Sequence, residues 1–280
     1  MTTTPSTCLL VIDPQNDFCD LPDRHLPTDP LTGRMIRPSL PVAGAHEDLS
    51  RLAGFVQRHQ AALDQIVVTL DSHQRIDIAH PGFWQARAGD VLPFTPILAA
   101  QVRAGEFLPR DPAALPRTLA YLDALEAAGR YTLMVWPVHC QIGSWGHGLH
   151  ANLRAAFDEW ELTRVRALRH VFKGTNPWTE HYSALLAEVP DAADPKTQLN
   201  QELLGWLDEA DRIVIAGQAS SHCVKSTVEH LVEFLPRPQR LTLLTDCMSP
   251  VQGFQAQHDA FMTAMSRAGV TLTTSEAWTA

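Results

Sequence analysis

Apolar and polar positions come in blocks along the chain. Nearly continuous apolar runs occupy 7–12, 65–70, 131–136, 163–172, 212–216 and 240–245. A strand buried on both faces of a parallel sheet reads this way, because neither face meets water. Between the runs, helix-like segments lie over 46–60, 112–128, 148–160, 198–209, 221–234 and 255–268. Strand then helix, repeated six times, predicts a three-layer α/β/α domain of Rossmann-like type spanning 1–280, with right-handed crossovers. Two proline-rich stretches without helical period, about 21–45 and 81–112, are expected as long loop insertions on the catalytic side.

Composition narrows the class. Hydrophobic residues make up 45% of the 280 positions and charged residues 19%, which suits a compact enzyme with one large core. The formal charge of -9 repels phosphate backbones, so nucleic acid is not an expected partner. No basic amphipathic segment points to a membrane surface, and no apolar run approaches the ~20 residues that span a bilayer. Residues 1–7 are polar and lack the basic start of a signal peptide. The five cysteines are odd in number and scattered, which fits a reducing cytoplasm better than a disulfide framework.

In such sheets chemistry gathers after the carboxyl ends of the strands. Asp13 follows the first run and Lys173 follows the fourth. An acid there is desolvated and able to act as a base, or it caps the next turn. A lysine there pairs with such an acid, or it is a surface residue at a turn. Cys223 opens the helix after the fifth run, in Gly217-Gln218-Ala219-Ser220-Ser221-His222-Cys223. The first helical turn favours a thiolate and offers N–H groups to an oxyanion. A buried cysteine is also an ordinary small core residue, and position alone leaves the two readings level.

Asp71 and His73 flank Ser72 after the second run, where residues two apart share a face. His139 ends the third run and His80 lies in the loop between. Two or three imidazoles with one carboxylate suit a divalent metal, zinc first, with iron or manganese as alternatives.

Together these segments resemble the nicotinamidases and other isochorismatase-like hydrolases. The similar segments are Val11-Ile12-Asp13-Pro14-Gln15-Asn16-Asp17-Phe18, Asp71-Ser72-His73, Trp136-Pro137-Val138-His139-Cys140 with Gly143 and Gly146, Phe172-Lys173-Gly174, and the nucleophile turn. They follow the family's order from residue 8 to about 250. The resemblance implies a six-stranded parallel sheet, an Asp13–Lys173–Cys223 triad, and metal ligands Asp71, His73 and His139, with His80 as a further candidate. It also implies an oxyanion hole from the N–H groups of Ala219 and Cys223, and a cis peptide between Gln218 and Ala219. Phe18 and Trp136 fall where the family stacks an aromatic substrate ring, and dimers or higher assemblies are a family habit. The two insertions and the loop Asp77-Ile78-Ala79-His80-Pro81-Gly82-Phe83-Trp84 depart from the usual pattern, which leaves the identity of the small amide open.

The expected function is therefore a cysteine hydrolase that cleaves a small, nicotinamide-like amide through a thioester on Cys223. Two alternatives stand beside it. One is a hydrolase in which metal-bound hydroxide attacks and Cys223 is structural. The other is a small-molecule binding protein that turns nothing over.

Overall fold

The first strand, β1 (Thr7–Ile12), is buried at every position. Cys8, Leu10 and Ile12 enter one hydrophobic core, and Leu9 and Val11 enter another. The two-residue period of a strand thus sends alternate side chains to opposite faces. The computed structural model describes residues 5–87 and 89–280; residues 1–4, part of the polar stretch 1–7 noted above, lie outside the described residues.

The remaining strands are β2 (Gln65–Asp71), β3 (Trp84–Ala86), β4 (Thr95–Ile97), β5 (Phe107–Pro109), β6 (Leu133–Val135), β7 (Arg169–Lys173), β8 (Arg212–Gly217), β9 (Leu241–Leu244) and β10 (Thr271–Thr273). The helices are α1 (Ala45–His59), α2 (Ala99–Arg103), α3 (Leu115–Ala128), α4 (Ala151–Arg164), α5 (Gln201–Asp208), α6 (Cys223–Phe234) and α7 (Gln255–Arg267). The main sheet has six strands in the order β10-β9-β8-β1-β2-β7, and every pairing in it is parallel. Leu49, Leu52, Phe55 and Val56 of α1 pack with Leu153, Phe157 and Trp160 of α4 over one face. Helices α5, α6 and α7 cover the other face through Leu203, Leu207, Val228, Leu231, Phe261 and Met265. The expected three layers and parallel sheet are present.

Three expected elements differ. The run at 131–136 holds β6, but β6 pairs antiparallel with β4 outside the main sheet. Leu133 and Val135 serve a third core with Ile97, Trp84, Tyr121 and Leu122. A short apolar run shows that a segment is buried, not which core receives it. The sixth sheet strand is instead β10, a part-exposed edge strand of Thr271, Leu272 and Thr273 without a continuous apolar signature. At 163–172 only the last part is strand, because α4 continues to Arg164 and Phe172 on the edge strand β7 is 56% exposed.

The stretch expected as loop at 81–112 carries β3, β4, α2 and β5, and it buries Phe83, Trp84, Val91, Ile97 and Val102 in the third core. The stretch at 21–45 has one short 3-10 turn, Asp23–His25, and is otherwise irregular. No described helix is long and apolar enough to cross a membrane.

The chain runs from β1 to β2, reaches β7, and then returns to the other side of β1 as β8. The winding therefore reverses between β1 and β8, and a crevice opens outside their carboxyl ends.

Candidate active site

Gly217 ends β8 opposite Ile12, the last residue of β1. Its φ of +120° lies in a region closed to most side chains, and a β-carbon there would sit 2.0 Å from the Ile12 carbonyl oxygen. Only glycine allows the two strand ends to close up this far. Asp13 leaves β1 and the 218–223 turn leaves β8 at that contact. The peptide between Gln218 and Ala219 is cis.

Asp13 is fully buried. Its Oδ1 accepts the Thr69 hydroxyl at 2.5 Å and its Oδ2 lies 2.9 Å from Lys173 Nζ. The same ammonium lies 3.0 Å from Asp71 Oδ1, donates to the His181 carbonyl at 3.0 Å, and reaches Cys223 Sγ at 3.5 Å. Asp13 Oδ2 and Asp71 Oδ1 have no other partner among the described residues. One oxygen of each acid and the sulfur of Cys223 lie within 4.8 Å of one another. The acid, the amine and the thiol thus meet, each delivered by a different strand of the sheet.

Burial raises Asp13 above the ordinary carboxylate range, Lys173 opposes that rise, and Asp71 adds to it. Burial would lower Lys173, but the two carboxylates hold its ammonium charged. Asp71 stays well below the usual range, since His73 and Lys173 outweigh its burial. Burial also lifts Cys223 well above an ordinary thiol, against the pull of Lys173. The thiolate expected from the helix end is therefore not the resting form, and the sulfur needs a base beside it.

Asp71 Oδ2 lies 3.1 Å from His73 Nε2 and 3.4 Å from His139 Nε2. The far nitrogen of each ring is held from behind. His73 Nδ1 meets Asp77 Oδ2 at 3.0 Å, and His139 Nδ1 meets the Pro137 carbonyl at 2.8 Å. Such outer partners fix ring orientation in metal sites. His80 Nε2 faces His139 Nδ1 at 3.3 Å, on the other edge of that ring from Asp71. His73, His80 and His139 place ligand nitrogens within 4.8 Å of one another, and all three are buried. Two aimed imidazoles around one carboxylate oxygen are a donor set that fits a divalent ion of the zinc class.

Phe18 and Trp136 line a small cavity with Cys223, Ala219, Asp71 and His139. Leu40, Val251, Tyr182, His222 and Glu180 complete its wall. About 20 Å³ is free inside, so the side chains must part before a ring can enter. The N–H groups of Ala219 and Cys223 meet no acceptor among the described residues. His222 packs on Trp136 and Phe254 and shares a proton with the Ser221 hydroxyl, away from the acid.

Several contributors were given no role by the sequence, although Gln15, Asp17 and Gly146 stand in the segments that carry the resemblance. Gln15 pins the Asp71 backbone with two bonds of 2.8 Å. Asp17 accepts the Cys140 N–H at 2.7 Å, against Gly146, where any β-carbon would strike its carboxylate. Glu180 faces the cavity with Oε2 unpartnered, and burial pushes it up to about 7.

No family model matches the chain. It is 32% identical to the nicotinamidase of Escherichia coli (strain K12) over 167 residues, which are 58% of this chain and 66%, just under two thirds, of that protein. The yeast nicotinamidase has a similar structure, with a TM-score of 0.63 at 20% identity, covering 95% of this chain and 99% of that one. A pyrazinamidase of Pyrococcus horikoshii solved in complex with zinc has a TM-score of 0.53 at 16% identity, covering 96% of this chain and 99% of that one. By these likenesses the chain is similar in sequence to a nicotinamidase over about two thirds of that protein's length and shares the fold of the nicotinamidases and pyrazinamidases.

Proposed function

We propose that the chain is a cysteine amidase that hydrolyses the C–N bond of a small, nicotinamide-like primary amide. The observation that carries this reading is Lys173 Nζ, 2.9 Å from Asp13 and 3.5 Å from Cys223, all three buried at the switch between β1 and β8. An acid beside a neutral thiol needs little movement to take its proton.

Asp13 accepts the Cys223 proton as Sγ attacks the amide carbonyl carbon. Lys173 keeps the two carboxylates apart in charge and stays positive beside the developing thiolate. The N–H groups of Ala219 and Cys223 receive the oxyanion, a contribution of about 3–4 kcal/mol in enzymes where it has been removed. Protonated Asp13 then hands its proton to the departing nitrogen. Water enters, Asp13 takes one of its protons, and the thioester is cleaved to the acid and free Cys223. Phe18 and Trp136 clamp the flat body of the substrate.

Asp71, His73 and His139 would hold a divalent cation beside this crevice, with His80 at the far edge of the His139 ring, and zinc is favoured by the donor set and by the zinc bound to the Pyrococcus horikoshii protein. Bound there, the ion supplies a Lewis-acid anchor for a donor atom of the substrate.

The test is ammonia release from nicotinamide, pyrazinamide and a panel of other primary amides, on wild type and Cys223→Ala, with metal analysis of both. Turnover in wild type and none in the variant, at equal metal content and equal melting temperature, is expected. Full activity in Cys223→Ala, or no turnover of any amide, would sink the proposal.

A further inference from the structure

We propose that a second cleft, at the N-terminus of α4, is a binding site for a small organic oxyanion. The cleft holds about 510 Å³ and is lined by His150, Ala151, Asn152 and Arg154 on one side and by Trp145 and Leu21 on another. It goes beyond the proposed amidase chemistry and uses none of its residues.

Two independent observations meet there. Helix α4 is 14 residues long and its first turn has no side-chain cap. The N–H groups of Ala151, Asn152 and Leu153 find no acceptor among the described residues. An open helix end of this kind presents donors and the positive end of the macrodipole. The second observation is His150, 2% exposed, whose Nδ1 is buried without a partner although the ring lines the cleft. A buried polar atom left unpaired costs about 1–3 kcal/mol, which a ligand accepting from it would recover.

The other edge of the ring tells which ligand. His150 Nε2 lies 2.9 Å from His46 Nδ1, so one proton is shared between them. With that proton on His46, His150 Nε2 accepts and its Nδ1 carries an N–H. Burial, with His46 and His25 beside it, pushes His150 down to about 4, so the ring is neutral near pH 7 and bears a single proton. With the imidazole N–H of that tautomer, a row of free amides and the Arg154 guanidinium at the exposed rim, donors predominate over the Asn16 and Asn152 side-chain oxygens that also line the cleft. A carboxylate or phosphate group satisfies such a set, whereas a cation is repelled by the helix end. His25, His46 and His150 are not among the groups whose nitrogens converge as metal ligands, which argues against a second metal. Trp145 and Leu21 give the cleft an apolar wall for a flat body behind the charged head.

The probes are inorganic phosphate and benzoate, titrated into the full ¹⁵N-labelled chain and followed by amide resonances. Saturable shifts of Ala151, Asn152 and Leu153 with both probes are expected, and benzoate alone should also move the Trp145 indole. His150→Asn supplies an Asn side chain that caps the helix from within, so the saturable shifts should vanish while the fold is kept or stabilised. Arg154→Gln, at an exposed position, should weaken both probes by about 2- to 5-fold. Shifts that never saturate, or a titration unchanged in both variants, would mean the cleft holds only water. Binding of phosphate without benzoate would overturn the assignment of an organic ligand.

Discussion

The Ile12 carbonyl occupies the place a β-carbon on Gly217 would take, 2.0 Å from its ideal position. This contact draws the β1 and β8 ends together, and with them Asp13 and the Cys223 turn. Gly217→Ala must therefore either push the strand ends apart or strain a backbone already at φ +120°. The expected cost is about 2–5 kcal/mol of stability, read by urea denaturation. Amide turnover should fall about 100-fold or more even in the folded fraction, because the base and the sulfur separate. An alanine variant with wild-type turnover would show that the close approach is not what sets the site.

Lys173 answers two buried carboxylates at once, at 2.9 and 3.0 Å. Removing it leaves Asp13 without its ion-pair partner and Asp71 with the His73 and His139 imidazoles alone. Lys173→Met should lose about 3–5 kcal/mol of unfolding free energy and all measurable turnover. Lys173→Arg carries the same charge, but its planar fork does not fit a pocket shaped for a point charge. Partial recovery of stability with little recovery of turnover is expected, and a fully active Arg variant would contradict the geometry.

The fold was legible in the sequence wherever burial was two-sided. The β1, β2 and β8 runs are apolar at nearly every position because each faces a core on both sides. β10 escaped because an edge strand needs no such run, and 131–136 misled because Leu133 and Val135 are buried in a different core. In the site, Asp13, Lys173 and Cys223 stood out as polar residues directly after apolar strands, where side chains converge by topology. Glu180 and Tyr182 belong to an irregular segment with no period, and only the folded chain brings them to the cavity. Asp77 carries no signal of its own, because a carboxylate four residues after His73 has no special meaning until the turn folds back on it.

Asp77 gives a direct test of the metal site. Its carboxylate holds His73 Nδ1 at 3.0 Å and accepts the Ala79 N–H at 3.0 Å, without touching Asp71. Asp77→Asn keeps the shape and removes the charge behind the ring. Metal affinity, measured by competition with a chromophoric chelator, should drop about 10–100-fold. His73→Ala should bind less metal still. A variant at position 77 with unchanged affinity would mean that His73 is not a ligand.

Stability should also depend on pH through a carboxyl far from the chemistry. The Glu188 side chain is 2% exposed and lies 4.0 Å from Arg130, which is shared with Glu229 at 3.1 Å. Burial pushes Glu188 up to about 7, and Arg130, the Ser226 hydroxyl and Lys225 only partly oppose it. The folded state thus holds this proton more tightly than the unfolded chain, whose glutamate titrates near 4.5. The sign follows: the contribution is fully present below about pH 4.5 and is lost as pH rises through 7, an accumulated cost of about 3 kcal/mol. Glu188→Gln carries no titrating proton and should escape that loss. The gain of the variant over wild type should be small at pH 5, grow to about pH 7 and level off above it in urea denaturation. A gain that is constant across this range would trace to packing against Ser226 and Arg130, with no part played by the buried charge.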